Sequence, residues 1–299
     1  MKNLKNLKKM KLFCGILIGL TIFSSCSSDN NESEPNSTNH LVKREYVSNN
    51  VNLEYRYNEN GNLTRILDID IQEGIDSETN FTYDSNNVVA RNFDSNSSSY
   101  SSTTNYSFNG NNRLLNAVSN ISRPSSTINP TVTITQEFSY NNNITTVNIS
   151  NSIGESRVVT LEVNSLGLIN KMIEGQFYTV ITYDTNGNIS EIKTFNDSYN
   201  ILNTSKYTYD NKLNPFYGQL KSIYLPIFLN AFDDAFFNEF VWDGYEGYYF
   251  PFLKNNITSI TENGNLDRNY NYLYNNENYP INVIEVFDGN NAYEFDIEY

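Results

Sequence analysis

One short phrase recurs along most of this chain and limits what the chain can fold into. The phrase is an aromatic residue, any residue, a second aromatic residue, Asp or Asn, a polar turn and an aliphatic pair. Eight copies begin at Tyr55, Phe81, Tyr106, Phe138, Leu161, Ile181, Tyr207 and Tyr272. The copy at Leu161 has no aromatic pair, and the copy at Phe138 has no glycine. The first seven copies begin 20 to 32 residues apart, and a repeat of this length is typical of an array of one small structural unit.

Each copy predicts a β-hairpin. The two residues around the middle position, such as Phe81 and Tyr83, lie on the same face of a strand because side chains alternate. The residue between them is usually Thr, Ser or Arg, which suits the face in water. The spacing of three between Ile189 and Ile192 predicts a β-bulge or a bend in the returning strand. Consecutive hairpins should then pair into an antiparallel meander.

The turns of the hairpins have their own sequence signals. Asn-Gly at 60–61 and at 186–187 predicts type I′ turns, which need a positive φ at both central residues. Asp84, Asp184 and Asp210 stand where a carboxylate accepts hydrogen bonds from the backbone just downstream, so we expect them to initiate turns.

The hairpins predict an all-β fold. We expect an antiparallel meander of repeated β-hairpins curled into a barrel-like or half-barrel sheet, with one aromatic, partly helical insert at about 216–254. Curling, or cover by the insert, would bury the aromatic face, which would promote aggregation if it stayed flat and exposed.

The repeated phrase also carries a resemblance to known families. The form Y-D-x-N-G-N-I resembles the YD repeat of Rhs-type and wall-associated bacterial surface proteins. Three further phrases are YDNKLNPF at 209–216, NNITSI at 255–260 and Y-x-Y-N-x-x-x-Y-P at 272–280. Together they resemble a group of small Bacteroidetes lipoproteins of unknown function whose β domain is described as porin-like. The resemblance covers about residues 50–299 and implies no catalytic residues.

The N-terminus predicts export and lipidation. Five lysines and no acid precede an apolar run of twelve residues, Leu12 to Phe23, which is too short to span a bilayer. The ending FSSC resembles a bacterial lipobox and implies cleavage before Cys26 and a diacylglycerol on its thiol. An ordinary signal peptide is the alternative. Cleavage takes the formal net charge from −14 to −19.

These signals predict three segments: a lipoprotein signal peptide at 1–25, a flexible acidic and polar tether at 26–44, and the β domain at 45–299. The acidic stretch from Asp29 to Glu34 resembles the surface-export tag of Bacteroidetes lipoproteins, and a solvated tether is the alternative. We expect an outer-membrane lipoprotein that faces the periplasm or the cell surface. His40 lies in the tether and is expected to be solvated.

The insert at about 216–254 breaks the repeat. Phe228, Phe232, Phe236 and Phe240 follow one another at intervals of four, which predicts one face of a helix over 225–240. A glycine-broken aromatic stretch with the only Trp follows it. The insert therefore predicts a plug or lid over the apolar sheet, or a ligand surface. The candidate ligand-binding residues are Phe232, Phe236, Trp242, Tyr245, Tyr248 and Tyr249.

Composition excludes several chemistries. A single His leaves no Ser-His-Asp or Cys-His site, and two Cys, at 14 and 26, leave no disulfide framework. The negative charge disfavours nucleic acid as a partner. Asp184, Asn186 and Asn188 resemble calcium-loop ligands, but the loop lacks the Gly at its sixth position and has Phe195 where the closing Glu would stand, so a hairpin turn is favoured. We expect no metal and no cofactor.

Three functions remain. The favoured one is a non-enzymatic, membrane-anchored lipoprotein that binds a glycan, a peptide or an envelope protein. The second is a structural or assembly component of the outer membrane, in the extreme a spanning barrel ending on the aromatic strand that closes with Tyr299, although many expected strands are short for spanning. The third and least favoured is a hydrolase with paired carboxylates. Its candidate residues are Asp233, Asp234, Glu239, Asp243 and Glu246.

Overall fold

The computed structural model describes residues 40–46, 51–70, 72–96, 100–124, 126, 129–232, 251–287 and 290–299. Nearly all of them lie in strands. The strands are β1 (Arg44–Tyr46), β2 (Val51–Tyr57), β3 (Leu63–Asp70), β4 (Gly74–Asp84), β5 (Asn87–Ser95), β6 (Tyr100–Phe108), β7 (Leu114–Ser122), β8 (Thr131–Asn141), β9 (Ile144–Asn151), β10 (Ser156–Val163), β11 (Ile169–Glu174), β12 (Phe177–Tyr183), β13 (Ile189–Phe195), β14 (Ile201–Leu213), β15 (Asn255–Glu262), β16 (Asn265–Tyr274), β17 (Pro280–Phe287) and β18 (Asn290–Glu298). A 3₁₀ turn (Lys221–Ile223) leads into one helix, α1 (Tyr224–Phe232).

The eighteen strands form one closed antiparallel barrel. From β2 to β18, each strand pairs with the next along the chain. The short β1 lies between β18 and β2, with Glu45 opposite Ile297 on one side and Leu53 on the other. The predicted fold class is therefore confirmed, and the sheet is a barrel rather than a half-barrel. No helix among the described residues is long and apolar enough to cross a bilayer.

The barrel has two distinct ends, because an antiparallel meander turns at alternate ends. The segment between β14 and β15, which contains the insert, and the turns after the repeated phrases lie at one end, which we call the plugged end. The N-terminal side of β1 and the C-terminal Tyr299 are also at that end. We call the opposite end, where β3 turns into β4 and β15 into β16, the far end.

The turns at the plugged end differ from the type I′ prediction. In the loop 58–62, Gly61 N donates to Asn58 O, and the Asn58 side chain accepts from the amides of Asn60 and Asn62. Gly61 has a φ of 77°, whereas Asn60 is not in the left-handed region. The loop 184–188 has the same geometry around Asp184. The prediction was wrong because the Asn or Asp side chain builds a five-residue loop in place of a two-residue turn.

Of the other two residues predicted to initiate turns, Asp210 does so and Asp84 does not. Asp210 accepts from Lys212 N at 2.9 Å, as predicted. Asp84 does not initiate its turn in this way, because it ends a strand at a two-residue turn, and among the described hydrogen bonds it accepts only from the Ser85 hydroxyl, at 3.5 Å. A type I′ turn occurs instead at the far end, where Asn263 and Gly264 have φ values of 50° and 85° between paired Glu262 and Asn265.

The predicted bulge is present and recurs. Thr182 pairs with Glu191 and Tyr183 with Ile189, so Ser190 is the extra residue. Five other hairpins shift register at the same place, directly after the phrase's second position, at Tyr57, Tyr83, Phe108, Val163 and Tyr274. The shift brings aliphatic residues spaced three apart, such as Ile189 and Ile192, onto the inward face.

The apolar side of the barrel faces inward. Tyr55, Phe81 and Phe138 are 4 to 5% exposed, while the residues that follow them, Arg56 and Thr82 among these, are exposed. The two faces of the repeated phrase are thus as predicted. Burial of this aromatic and aliphatic face is the main stabilising contribution to the fold.

The barrel begins inside the predicted tether. Val42 is fully buried, and Lys43 N donates to Glu298 O at 2.7 Å. His40 stacks on Tyr279 with ring centroids 4.4 Å apart, and its Nδ1 lies 3.3 Å from Glu277 Oε2. The expectation that His40 is solvated was wrong, because residues 40–44 pack along the barrel wall.

Candidate functional site

The described parts of the insert close the plugged end of the barrel. Gln219 reaches across to the start of β3, where its Oε1 accepts from Leu63 N at 2.8 Å and its Nε2 donates to Gly61 O at 3.0 Å. Ser222 Oγ accepts from Val88 N at 2.9 Å at the start of β5. These bonds give partners to backbone groups at the starts of β3 and β5 and in the turn before β3.

The plug also has an apolar side. Phe216 is fully buried, and its ring centroid lies 5.0 Å from that of Tyr55 on the barrel wall. Ile223 and Leu229 are 0% and 2% exposed, and Phe228 packs against Phe252 with centroids 5.9 Å apart. The prediction of a plug is confirmed for 214–232 and 251–254, and the predicted helix is confirmed over Tyr224–Phe232.

Asn188 fixes the return of the insert into the barrel. Its Oδ1 accepts from Lys254 N at 2.8 Å and Asn255 N at 3.1 Å, and its Nδ2 donates to Asn255 Oδ1 at 2.9 Å and Asp184 Oδ2 at 3.1 Å. Asn188 is fully buried. One side chain therefore links the turn after β12 to the strand that follows the insert.

A second polar cluster fixes β14 beside it. Asp210 accepts from Asn256 N at 3.2 Å and Asn256 Nδ2 at 3.1 Å, and it accepts a short hydrogen bond from the Tyr274 hydroxyl. Lys212 Nζ donates to Asn278 Oδ1 at 2.6 Å. Asp184 and Asp210 are thus used within the protein, and none of the described His, Cys, Asp and Glu side chains form a group of three or more that could hold a metal ion.

A row of tyrosine hydroxyls binds the wall at the same end. Each donates to a backbone carbonyl of the preceding strand at 2.6 to 2.9 Å. The donor and acceptor pairs are Tyr83–Leu63, Tyr140–Leu114, Tyr183–Ile169, Tyr209–Ile189, Tyr272–Ile257 and Tyr299–Pro280. Burial raises the pKa of each of these tyrosines. We call this row the tyrosine ladder.

Toward the far end the interior becomes polar. Arg157 Nη1 lies 2.6 Å from Glu174 Oε1. Glu285, only 1% exposed, accepts from Arg268 Nη1 at 3.1 Å and from the Tyr270 hydroxyl at 3.2 Å. We call this inward-facing region the polar half of the interior. It contains charged groups that the repeated phrase does not predict.

Glu45 is the most perturbed acid of the interior. It is fully buried on β1, and its Oε2 accepts from the Tyr55 hydroxyl at 3.0 Å. Its Oε1 has no hydrogen-bond partner. Burial raises the pKa of Glu45 to about 8, and the bond from Tyr55 opposes part of that rise. The carboxyl group is therefore largely protonated at neutral pH.

Inward polar groups without a hydrogen-bond partner also occur on β6 and β8. Ser102 Oγ on β6 and Gln136 Oε1 on β8 have no hydrogen-bond partner. Both point inward, because Ser102 pairs with Ile121, and Gln136 alternates with Ile134 along β8, where both isoleucines are buried. A cleft of about 400 Å³ lies against β6, β7 and β8 at the far end, and most of its lining residues, such as Ser101, Thr103 and Asn120, are on the outward face of the sheet. A buried polar group without a partner indicates a bound water or ligand.

The outward face of the barrel is hydrophilic along several strands. On β6 the outward residues are Ser101, Thr103, Asn105 and Ser107. Elsewhere ion pairs cross neighbouring strands, such as Arg44–Glu54 and Arg65–Glu78, each with 2.5 Å between nitrogen and oxygen. A membrane-spanning barrel instead carries an outward apolar band about 25 Å tall.

Most of the predicted site residues lie outside the residues that the structure describes. Phe232 is the last residue of α1. The other candidate ligand residues, Phe236, Trp242, Tyr245, Tyr248 and Tyr249, lie outside the described residues, as does Cys26. All five carboxylates of the hydrolase hypothesis, from Asp233 to Glu246, also lie outside them. The calcium alternative is replaced by the hairpin turn 184–188.

The sequence analysis missed the polar half of the interior. Ser102 and Gln136 stand at positions that alternation assigns to the buried face, and that mismatch between residue type and face was a usable signal. For Gln136 it was readable from the spacing to Phe138. The buried Glu45 near the plugged end was also missed, because β1 contains no repeated phrase.

Comparisons with known proteins found similar solved structures but no similar sequence family. No protein-family model matches the chain, and no curated protein matches its sequence. The chain is similar to a porin-like protein from Bacteroides vulgatus, with 13% identity over 87% of this chain and 98% of that chain and a TM-score of 0.40. A porin-like protein from Bacteroides uniformis is 14% identical over 86% of this chain and 94% of that chain, with a TM-score of 0.40. A chain of the TcdB2-TccC3-Cdc42 structure is 13% identical over 54% of this chain and 10% of that chain, with a TM-score of 0.29. The resemblance to YD repeats remains a prediction.

Proposed function

We propose that this protein is a non-enzymatic lipoprotein of the outer membrane that binds a polar envelope or extracellular ligand, a glycan or a peptide, in the polar half of its barrel. The lipid on Cys26 anchors it, and the barrel stands outside the bilayer. Its role is to capture the ligand, with no turnover.

One observation carries the binding proposal. Two inward side chains of the polar half, Ser102 and Gln136, each have a buried oxygen without a hydrogen-bond partner. Leaving such an atom unsatisfied costs about 1–3 kcal/mol, so the two of them favour a ligand that supplies the partners.

The outward face supports the position outside the bilayer. The Ser, Thr and Asn row of β6 and the ion pairs across β1 to β4 would lose their hydration in hydrocarbon, and each such group is costly there. The buried rings that open the repeated phrases, such as Tyr55, Phe81 and Phe138, are turned inward. A lipid anchor is then needed to hold the protein at the membrane.

The binding proposal is tested with the mature chain from residue 27. The chain is incubated with the low-mass glycan and peptide fraction of a native envelope extract and examined by native mass spectrometry. We expect a retained species that is lost in Ser102→Val and in Gln136→Leu. Their outward neighbours give matched controls, Ser101→Val and Glu137→Leu, which should retain it. No retained species, or equal retention by all four variants, would overturn the proposal.

The insert needs a separate test, because a protein partner would bind outside the barrel. Residues 233–250 are replaced by a short Gly/Ser linker, which leaves the plug residues in place. A protein captured from envelope by the full chain, and not by this variant, would assign binding to the candidate residues from Phe236 to Tyr249. Capture by both would remove those residues from the proposal.

A further inference from the structure

One turn at the far end has an unusual residue. The loop 196–200 repeats the five-residue geometry, since Tyr199 N donates to Asn196 O and the Asn196 side chain accepts from Ser198 N and Asn200 N. Its fourth residue, Tyr199, has a φ of 61°. In the other loops of this geometry the fourth residue is Gly or Asn. These are Gly61, Asn112, Gly154, Gly167, Gly187 and Asn278.

Tyr199 occupies this position at a conformational cost. The left-handed region is disfavoured for a residue with a bulky side chain, and such strain is concentrated at functional sites. The Tyr199 side chain is 78% exposed, and its ring meets Tyr178 edge-on at 5.9 Å. Folding alone would be served as well by Asn or Gly. The exposed ring therefore suggests a role outside the fold.

The Tyr199 ring packs against outward aromatic rings of the neighbouring strands. Tyr178 points outward because its neighbour Thr179 is buried, and it stacks on Phe195 across the strand pair, with centroids 4.7 Å apart and planes 5° apart. Ile201 and Leu202 beside them are 56% and 50% exposed. We call these five residues, Tyr178, Phe195, Tyr199, Ile201 and Leu202, the aromatic patch. Their exposure contrasts with the Ser, Thr and Asn rows elsewhere on the outward face.

The charges around the patch are balanced. Lys171 lies over the Tyr178 ring at 5.1 Å and pairs with Glu162 at 3.6 Å. Lys193 and Lys206 both pair with Glu191, at 2.5 and 3.5 Å. The cations are thus compensated, so the patch has no excess positive charge for an anion. A second copy of a chain with a net charge of −14 would be repelled.

The chemistry that complements the patch is an uncharged molecule with an apolar face and hydroxyl groups. Rings supply the apolar contact, and the side chains of Ser198 and Asn200 supply donors and acceptors at the rim. We propose that the aromatic patch is a binding site for a neutral carbohydrate, with a pyranose ring stacked on Tyr199. The site is independent of the polar half of the interior, because the rings of the patch are on the opposite face of the sheet.

The position of the patch fits this role. The tether joins the barrel at the plugged end, where residues 40–44 pack beside β18 and β2. The turn 196–200 is at the far end. A barrel held at the membrane by its N-terminus would therefore present Tyr199 on the side away from its point of attachment.

The test uses the mature chain on an array of neutral and sulfated oligosaccharides, followed by calorimetry with the neutral ligand that binds best. Tyr199→Asn keeps the loop, because Asn occupies the same position in two other loops, and removes the ring. We expect its affinity to fall at least tenfold while its thermal midpoint stays the same or rises. Tyr199→Trp should retain binding.

Two controls separate this site from the others. Tyr217→Asn removes a ring that is 46% exposed at the plugged end, and Leu166→Asn removes an apolar side chain that is 78% exposed in another five-residue loop, and neither should change the affinity. Failure of the wild-type chain to bind any neutral glycan would overturn the proposal, and so would equal binding by Tyr199→Asn. Retention of sulfated glycans alone would also overturn it. An envelope protein that depends on Tyr199 in the absence of glycan binding would replace the carbohydrate with a protein partner.

Discussion

The carboxyl group of Glu45 accepts a hydrogen bond from the Tyr55 hydroxyl at 3.0 Å inside the barrel. Glu45 lies on β1, and β1 is the strand that joins β18 to β2. An acid is therefore buried at the position where the sheet closes. Burial raises the pKa of Glu45 and the bond from Tyr55 opposes only part of that rise, so the neutral form of Glu45 is the one that the folded barrel favours.

Glu45 should make stability depend on pH. Its pKa rises from the ordinary 4.5 to about 8 on folding, so its contribution is fully present below about pH 4.5 and is lost as the pH rises toward 8. The slope in that interval is about 1.4 kcal/mol per pH unit. Glu45→Gln should remove this loss and be more stable than the wild type at pH 8. Urea unfolding between pH 4 and 9 measures it.

The control for this prediction is Glu59→Gln, in an exposed turn, which should follow the wild-type curve. Glu45→Gln and wild-type curves that stay parallel over the whole interval would show that the carboxyl group ionises without cost, contrary to its burial.

The tyrosine ladder should stabilise the barrel through its hydroxyls. Tyr209→Phe keeps the buried ring and removes the donor to Ile189 O, which lies 2.6 Å from the hydroxyl. We expect a loss of about 1–2 kcal/mol in the free energy of unfolding. Tyr217→Phe, on an exposed ring of the plug, should have no measurable effect. Equal stability of the two variants would mean that water satisfies the carbonyl.

Asn188 should contribute far more to the free energy of unfolding than Asn186, which lies in the same loop. Asn188→Ala removes three hydrogen bonds between the turn after β12 and residues 254–255, together with a fourth to Asp184 within the turn, and we expect a loss of about 2–3 kcal/mol. Asn186→Ala alters an exposed position and should change stability by less than about 0.5 kcal/mol. Chemical denaturation of both variants decides it, and similar values would contradict the linking role.

The plug should protect particular backbone amides. Gln219→Ala leaves Leu63 N without its acceptor, and Ser222→Ala does the same to Val88 N. Hydrogen exchange at the one amide should accelerate in each variant, while the other amide keeps its protection. Lys221→Ala, on an exposed residue between them, is the control. Protection unchanged in both variants would place the plug off the barrel end in solution.

Much of the fold was predictable because the phrase encodes it locally. Alternation fixed the inward rings, and the spacing of Ile189 and Ile192 predicted a bulge that recurs around the barrel. The turn type was not predictable from Asn-Gly alone. At 60–61 the side chain of Asn58 builds a longer loop, whereas at 263–264 the strands leave only two residues for the turn and the type I′ geometry forms.

The closure of the barrel by β1 and the candidate site residues were harder to predict from the sequence. β1 has three residues and adjoins a polar segment, so neither periodicity nor composition marks it as a strand. Whether Glu45 is buried depends on β18, some 250 residues away along the chain, and such pairing has no local signal. Tyr199 belongs to no repeated phrase, and its significance lies in a backbone angle.

The central claim is that the barrel stands outside the bilayer and is held there by lipid. The most direct measurement compares the wild type with a chain whose residues 1–26 are replaced by a cleavable signal without a lipobox, both expressed in the native envelope and extracted with carbonate. The account predicts that the wild type stays in the membrane pellet and the unlipidated chain is released. An unlipidated chain that remains in the pellet would contradict it.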